Sequence, residues 1–189
     1  MPTPDPHSLP SANNPLLAAL AYAAAGWPVL PVHTPNPVDG CSCGEPECRA
    51  IGKHARIRDW PQRASTDVRV IAAWWRRWPD ANVGVRTGTL VVLDVDGPDG
   101  AHTLQNLQAA HEPLPSTRSA VTARGTHLYF HAGAHLISCS AAQLGSGLDV
   151  RARGGYAIAP PSRHATGHRY AWTCTCDLAA LPAWLAELL

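Results

Sequence analysis

Two aspartates one residue apart end an apolar stretch in this 189-residue chain. Residues 90–97 read Leu-Val-Val-Leu-Asp-Val-Asp-Gly, and the four leading apolar residues are typical of a strand that is covered on both faces. Because side chains alternate along a strand, Asp94 and Asp96 point to the same side. Two carboxylates this close repel each other unless a cation lies between them. The pair is therefore either a divalent metal site or a solvated strand end.

Three cysteines and a histidine lie within a loop of 14 residues that also contains glycine and proline. Three thiolates and one imidazole make a complete tetrahedral zinc set, which is predicted here for Cys41, Cys43, Cys48 and His54. A loop without an apolar core needs a metal to be ordered, and no position for an activated water is implied, so the zinc is expected to be structural. The alternative is a flexible loop with reduced surface cysteines.

The other three cysteines carry weaker signals. Cys139 stands alone, and Cys174 and Cys176 lie at strand spacing. They are predicted to be ordinary residues, with Cys174 and Cys176 as a weak alternative for a second metal pair. No apolar segment resembles a signal peptide or spans a bilayer, so a cytoplasmic protein with no membrane contact is expected, in which thiols or metal ligands are commoner than disulfides.

A third carboxylate and two basic side chains follow on later predicted strands. Asp149 lies within a predicted strand at 147–151, and Arg124 and His127 flank a turn at Gly125. A guanidinium and an imidazole beside exposed backbone amides can hold a polyphosphate, although a single histidine is more often structural. Three carboxylates on two strands, with a histidine and an arginine between them in sequence, form the set that two-metal phosphoryl transfer requires.

The elements that must position these residues are predicted from periodicity and stop signals. Helices are expected to begin at residues 15, 68, 99 and 178, the last running to 189, and strands at 27–33, 82–86, 90–96, 118–122, 127–131, 147–151, 156–159 and 168–172. The short connection 87–89 predicts an antiparallel pair of the strands on either side. The fold class is α+β, with a mixed or mostly antiparallel sheet and helices packed against it.

Composition limits the functional classes further. With 46% hydrophobic and 15% charged residues the chain is globular, and a net charge of +1 excludes a surface coated in basic residues. Any contact with nucleic acid must come from a local patch. A Pro-, Ser- and Asn-rich segment at 1–13 predicts a disordered leader, followed by one domain at 14–189 with a zinc loop at about 36–58.

These motifs resemble, in order, those of the bifunctional DNA primase/polymerase (prim-pol) domain of the archaeo-eukaryotic primase superfamily. The resemblance extends from about residue 16 to residue 172. It includes Gly26-Trp-Pro-Val-Leu-Pro31, Gly52-Lys-His54, Asn82-Val-Gly-Val-Arg-Thr-Gly88, Leu93-Asp-Val-Asp96, Arg124-Gly-Thr-His-Leu-Tyr-Phe130, Leu148-Asp-Val-Arg151, Gly154-Gly-Tyr156 and Pro160-Pro-Ser162.

The resemblance implies a fold and a set of roles. The fold would be an RRM-like catalytic sheet joined to an N-terminal α/β unit, with a zinc-binding insertion. Three carboxylates would be catalytic and would hold two Mg²⁺ or Mn²⁺ ions: Asp94, Asp96 and Asp149. The imidazole of His127 would contact the phosphates of the incoming nucleotide. Three further side chains are weaker candidates for that nucleotide pocket: Arg124, Thr126 and Arg151.

The activity implied by the resemblance is template-dependent nucleotidyl transfer, as primer synthesis, DNA polymerisation or both. The substrates would be a single-stranded DNA template and nucleoside triphosphates, in replication of plasmid, phage or mobile-element type, with a possible helicase in trans.

Two other readings of the same residues remain. The Asp94-Val-Asp-Gly97 segment also resembles the first motif of haloacid dehalogenase-like phosphatases, but that family needs a downstream lysine, and the chain has none after Lys53. A second alternative is a catalytically silent nucleic-acid binding or replication-initiation module with the same fold. A run of basic residues could grip template phosphates or be a solvated face: Lys53, Arg56, Arg58, Arg63, Arg69, Arg76 and Arg77.

Overall fold

The computed structural model describes residues 13–36 and 40–189. The predicted leader at 1–13 therefore lies outside the described residues except for Asn13. The chain forms two compact units, the first built from residues up to Arg86 together with 158–171, and the second from 87–157 together with 172–189. The predicted zinc ligands lie in the first unit and the predicted catalytic residues in the second, so each site can be considered within its own unit.

Five helices and twelve strands are formed by the described residues. The helices are α1 (Pro15–Ala24), α2 (Trp60–Arg63), α3 (Val68–Arg77), α4 (Gly97–Ala110) and α5 (Ala183–Glu187). The strands are β1 (Val29–Val32), β2 (Pro35–Asn36), β3 (Gly40–Cys41), β4 (Asn82–Arg86), β5 (Leu90–Asp96), β6 (Ser119–Val121), β7 (Gly125–His131), β8 (Ser140–Ala141), β9 (Leu148–Arg151), β10 (Tyr156–Ala159), β11 (Ala171–Cys174) and β12 (Ala179–Ala180). None of these helices is both long and apolar enough to cross a bilayer.

Helix caps in the first unit form where the sequence predicts them. The side chain of Asn14 accepts hydrogen bonds from the amides of Leu16 and Leu17 at the start of α1, and the carboxylate of Asp67 accepts from the first turn of α3. These acceptors satisfy amides that have no partner inside a helix. A three-stranded sheet, in the order β1-β4-β10, completes this part of the fold, and β1 is the edge strand that Pro31 requires.

The larger sheet carries the predicted catalytic residues. Its strand order is β11-β6-β7-β5-β9-β8, with β12 added in parallel to the end of β7. The pairs β6·β7, β5·β7, β5·β9 and β8·β9 are antiparallel. The predicted α+β class with antiparallel sheets is confirmed.

Strand β5 lies at the centre of the larger sheet and has two different faces. Val91 and Leu93, each 1% exposed, point into a core that also contains Leu104 of α4 and Leu185 of α5. Val92, which is fully buried, points to the other face, where Asp94 and Asp96 follow it at intervals of two residues. The apolar residues therefore bury β5 on both faces, as the sequence predicts. Only near the end of the strand do side chains on one face become carboxylates that are partly open to solvent.

The predicted pairing of β4 with β5 is wrong. β4 pairs with β1, whereas β5 pairs with β7 and β9, so the two strands belong to different sheets. The connection 87–89 does not form a hairpin because the Thr87 amide donates to the carbonyl of Gly155 at 3.0 Å, while the amide of Gly88 donates to that of Leu90. Short loops join antiparallel partners only when neither strand has a stronger partner elsewhere.

The predicted C-terminal helix is also shorter than expected. Instead of beginning at Leu178 it begins at Ala183, because Ala179 and Ala180 form β12 beside Phe130 and His131. Pro182 has no amide hydrogen and lies directly before the first helical residue, where this deficiency costs nothing. The helical spacing of apolar residues was present in the sequence, but pairing with β7 overrode it.

The glycine at position 147 holds the end of β5 close to the start of α4. Its φ is +73°, and a Cβ atom there would lie 2.4 Å from the amide nitrogen of Gly100 and 2.7 Å from the carbonyl oxygen of Asp96. We expect Gly147→Ala to lower the free energy of unfolding by at least about 3 kcal/mol, because backbone atoms cannot move aside cheaply. Denaturation in urea measures the loss.

Gly154→Ala is the matched control for this prediction. Gly154 also has a positive φ, +87°, but a Cβ atom there meets nothing within 4 Å. Only the backbone conformation is then penalised, at about 1 kcal/mol. Equal losses in the two variants would show that the close approach at Gly147 contributes nothing.

Candidate functional site

A row of three polar side chains crosses the larger sheet. Asp94 of β5 lies directly opposite His127 of β7 on one side and Asp149 of β9 on the other. Residues directly opposite each other in antiparallel strands project from the same face, with Cα atoms about 4.5–5.5 Å apart. Asp96 follows two residues after Asp94 and therefore shares that face. Residues separated by 55 positions in sequence thus meet on one surface.

The centre of this row is a contact between His127 and Asp94. Nε2 of His127 lies 3.2 Å from Oδ1 of Asp94, and the imidazole side chain is only 7% exposed. On the other ring nitrogen, Nδ1, the hydroxyl of Tyr129 lies at 3.4 Å. Contacts to both nitrogens hold the ring in one orientation, with Nε2 directed towards the carboxylates.

Tyr129 is a site residue that the sequence analysis missed. It is fully buried, and its ring packs against Trp172 with centroids 5.1 Å apart. The signal was present, since Tyr129 follows His127 by two residues on a predicted strand and must share its face. The hydroxyl of Tyr129 supports the imidazole.

The two outer carboxylates are each paired with an arginine. Arg124 forms an ion pair with Oδ2 of Asp96. Nη2 of Arg151 donates to Oδ2 of Asp149 at 2.8 Å, and the amide of Ala142 donates to its Oδ1 at 3.1 Å. Arg124 and Arg151 therefore lie beside the carboxylates.

Thr126 is not brought to this face. It lies opposite Val95, whose side chain belongs to the apolar core on the other side of the sheet. Because alternate residues of a strand project from opposite faces, Thr126 and His127 cannot both contact one ligand on the carboxylate face. The expected place of Thr126 in the nucleotide pocket is not supported by its position in the sheet.

The chemistry of the carboxylate set fits hard divalent cations. Three carboxylates on adjacent positions of one face offer oxygen ligands, which Mg²⁺ and Mn²⁺ prefer. Their side chains are 17% (Asp94), 27% (Asp96) and 31% (Asp149) exposed, so each is partly open to solvent. In this arrangement each carboxylate faces its own basic partner, and the three do not converge on one point.

The zinc ligands predicted from sequence do converge. Sγ of Cys41, Cys43 and Cys48 and a ring nitrogen of His54 all lie within 4.8 Å of one another. It is the only group of three or more metal-binding side chains to do so in residues 13–36 and 40–189. Nε2 of His54 lies 3.4 Å from Sγ of Cys41 and 3.5 Å from that of Cys48. A tetrahedral zinc ion with bonds of about 2.3 Å to sulfur and 2.0–2.1 Å to nitrogen requires an S···N separation of about 3.6 Å, so the set fits zinc.

Hydrogen bonds prepare Cys41 for this role. Burial raises the pKa of its thiol, but the amides of Gly52 and Cys43 and the imidazole of His54 outweigh burial and lower the pKa to about 6. A thiolate at neutral pH is the form that binds a metal.

A shell of side chains behind the ligands fixes the loop. The ring of His33 stacks on that of His54 with centroids 4.3 Å apart, and its Nδ1 lies 3.0 Å from Oγ of Ser42. Burial, with the nearby charges of Arg56 and His54, lowers the pKa of His33 to about 4. The guanidinium of Arg56 donates to the same Ser42 hydroxyl at 2.7 Å. Arg56 therefore belongs to the support of the loop and not to a solvated basic face.

The last cysteine pair differs from expectation. Cys174 and Cys176 form a disulfide with an S–S distance of 2.06 Å, so the expectation of ordinary thiols is wrong and a second metal pair is excluded. The guanidinium of Arg118 holds this turn by donating to the carbonyls of Thr175 and Cys176, both at 3.0 Å. Spacing along a strand could not reveal the bond because β11 ends at Cys174 and the chain turns there.

A family model described as bifunctional DNA primase/polymerase, N-terminal, matches residues 19–184. That segment includes the four candidate zinc ligands and the whole carboxylate row, Asp94, Asp96 and Asp149. A comparison with curated proteins found no match.

Proposed function

The chain belongs to the bifunctional DNA primase/polymerase (Prim-Pol) family, and from this premise we propose that it is a template-dependent nucleotidyltransferase that uses two divalent metal ions. Membership implies a role in DNA replication, with DNA and nucleotides as substrates. The proposal goes further and assigns the reaction to the carboxylate face of the larger sheet. We also propose the setting implied by the sequence resemblance, replication of plasmid, phage or mobile-element type.

The observation that carries the proposal is the register of β7, β5 and β9. It gathers Asp94, Asp149 and His127 in one row, with Asp96 on the same face. Nothing in the packing of a sheet requires two carboxylates directly opposite each other, since like charges at opposed positions destabilise strand pairing. A site that binds cations and transfers phosphoryl groups accounts for this cost.

The residues divide into two groups by their chemistry. Asp94, Asp96 and Asp149 would hold two Mg²⁺ or Mn²⁺ ions, which when bound lower the pKa of an attacking 3′ hydroxyl and neutralise charge in the transition state. The guanidinium groups of Arg124 and Arg151 supply positive charge beside the carboxylates, and His127 offers its Nε2 there. These basic side chains would bind the triphosphate and orient its α-phosphorus for in-line attack, with pyrophosphate as the leaving group.

His127 has the most constrained of these roles. Its imidazole is buried, and Tyr129 and Asp94 hold its two ring nitrogens. A phosphate oxygen that enters beside Asp94 meets Nε2 at once, without a rearrangement of the ring. Tyr129 acts through His127 and is therefore a positioning residue.

A silent binding module remains the alternative function. Such a protein would keep the fold and bind DNA but would not join nucleotides. The presence of all three carboxylates, each partly open to solvent, favours catalysis over a silent module. A helicase acting in trans fits either function.

Nucleotide incorporation on single-stranded DNA tests the proposal. We expect purified protein with Mn²⁺ or Mg²⁺ to extend a primer with labelled nucleotides, and an Asp94→Ala, Asp96→Ala double variant to be inactive. Products formed without a primer would identify a primase. Because the candidate zinc ligands lie in the other unit, the double variant should keep the zinc content of the native protein.

One outcome of this experiment would contradict the proposal. If the native protein and the double variant are both inactive over a range of templates, nucleotides and metal ions while DNA is still bound, nucleotidyl transfer by this chain is rejected. The binding module then takes its place.

A further inference from the structure

A groove in the first unit is not used by the proposed reaction. It has a volume of about 750 Å³ and lies between the strands that carry the zinc loop and the segment 163–169. Ten described residues line it, among them Arg163, His164, Thr166 and Arg169. These ten residues include two arginines, one histidine and no acidic side chain.

The two arginines of this groove are opposed across a short hairpin. Arg163 and Arg169 form an isolated antiparallel bridge, so their side chains project from the same face of the hairpin. Both are exposed. Like charges at opposed positions destabilise a pair of strands, and this cost is offset when an anion binds between them.

The tip of the hairpin adds further polar groups. Oγ1 of Thr166 lies 3.0 Å from Nδ1 of His164 and 3.1 Å from Nδ1 of His168, so one hydroxyl orients two imidazoles. The amide of His164 donates to the carbonyl of His168 at 2.8 Å and closes the turn. The hairpin is therefore an ordered element that presents basic side chains.

A buried asparagine fixes the two walls of the groove to each other. Asn82 is 2% exposed, and its Nδ2 donates to the carbonyl of Gly52 at 3.0 Å and to that of Arg163 at 2.8 Å. Its Oδ1 accepts from the amide of Arg163 at 2.8 Å. The amide thus ties the end of the zinc loop to the base of the hairpin, and both walls are in position before any ligand binds.

We propose that this groove binds the phosphodiester backbone of single-stranded DNA. Among the described residues of the lining there is no Trp, Tyr or Phe ring on which a base could stack, and the polar groups are of the kinds that contact phosphate. The zinc loop then has a role in DNA binding, because it builds one wall.

Binding of a fluorescently labelled 20-nucleotide oligo(dT) tests this proposal, measured by anisotropy over a series of salt concentrations and without divalent metal or nucleotide. We expect an Arg163→Ala, Arg169→Ala double variant to bind at least about 10-fold more weakly at low salt. The slope of log K against log salt is negative, and each lost phosphate contact reduces its magnitude by about 0.7. The slope of the double variant should therefore be smaller in magnitude by about 1.4. A variant with lysine at both positions should recover most of the slope.

The control is an Arg76→Ala, Arg77→Ala double variant, which removes the same charge from the exposed side of α3 in the same unit. We expect it to bind nearly as the native protein does. Equal losses in the two double variants would mean that only net charge matters, and a larger loss in the α3 variant would move the DNA site there. Either result overturns the proposal, as does a loss of nucleoside triphosphate affinity without loss of oligo(dT) affinity.

Two features keep the test independent of folding and of catalysis. The backbone of Arg163, not its side chain, is bound by Asn82, so truncation of the side chain should leave zinc content and melting temperature unchanged. The catalytic double variant at Asp94 and Asp96 should bind oligo(dT) at least as tightly as the native protein, because it removes two negative charges. If incorporation fails but this binding depends on Arg163 and Arg169, only the proposed function is rejected.

Discussion

Replacement of Asp149 by asparagine is expected to reduce nucleotide incorporation at least about 1,000-fold, as much as the same change at Asp94. Asp149 lies opposite Asp94 on the neighbouring strand, and asparagine keeps its shape but not its charge. An amide oxygen can still accept from the amide of Ala142, so the local structure should survive. The loss should therefore appear in kcat with little change in melting temperature. A steady-state primer-extension assay with Mn²⁺ and with Mg²⁺ measures it.

Asp99→Asn is the matched control for this experiment. Asp99 is exposed in the first turn of α4, three residues after Asp96, and it has no part in the carboxylate row. Its replacement should change activity less than about 2-fold, because a single exposed charge is screened by solvent. If the Asp149→Asn variant were as active as the Asp99→Asn variant, Asp149 would not be one of the catalytic carboxylates.

Replacement of Cys41 by serine is expected to remove the bound zinc and to lower the free energy of unfolding by about 3 kcal/mol or more. Cys41 is 1% exposed and contacts His54, so no water or other side chain can easily take its place as a ligand. For a chain of this length, each kcal/mol lost from the free energy of unfolding lowers the melting temperature by about 2–4 °C. The melting temperature should therefore fall by roughly 6–12 °C. Metal analysis and thermal unfolding of the purified protein measure both effects.

Cys139→Ser provides the comparison for the zinc experiment. Cys139 is an exposed free cysteine in the second unit, outside the cluster. The Cys139→Ser variant should bind one zinc ion per chain, as the native protein is expected to do. A native protein that purifies without zinc under reducing conditions, and that is not stabilised when zinc is added, would show that the four side chains form no metal site.

The composition and spacing of the chain determined the local elements and the types of ligand. Asn14 and Asp67 cap helices as predicted, because a short polar side chain can satisfy the free amides of a first turn without help from the rest of the fold. The zinc ligands were also evident, since they lie within 14 residues and a short loop with turns brings them together locally. The common face of Asp94 and Asp96 followed directly from the prediction that their segment is a strand, because side chains two residues apart project from the same face.

Long-range pairing decided everything that joins distant segments. The sequence contains no local sign that Asp149 would lie opposite Asp94, that β4 and β5 would enter different sheets, or that Asn82 would bind both Gly52 and Arg163. Strand register depends on which surfaces are buried together, and a shift of one residue would have reversed every side chain. The ligand types and the helix caps are therefore properties of the sequence, whereas the carboxylate row and the basic groove exist only because tertiary packing selects one register and one set of partners.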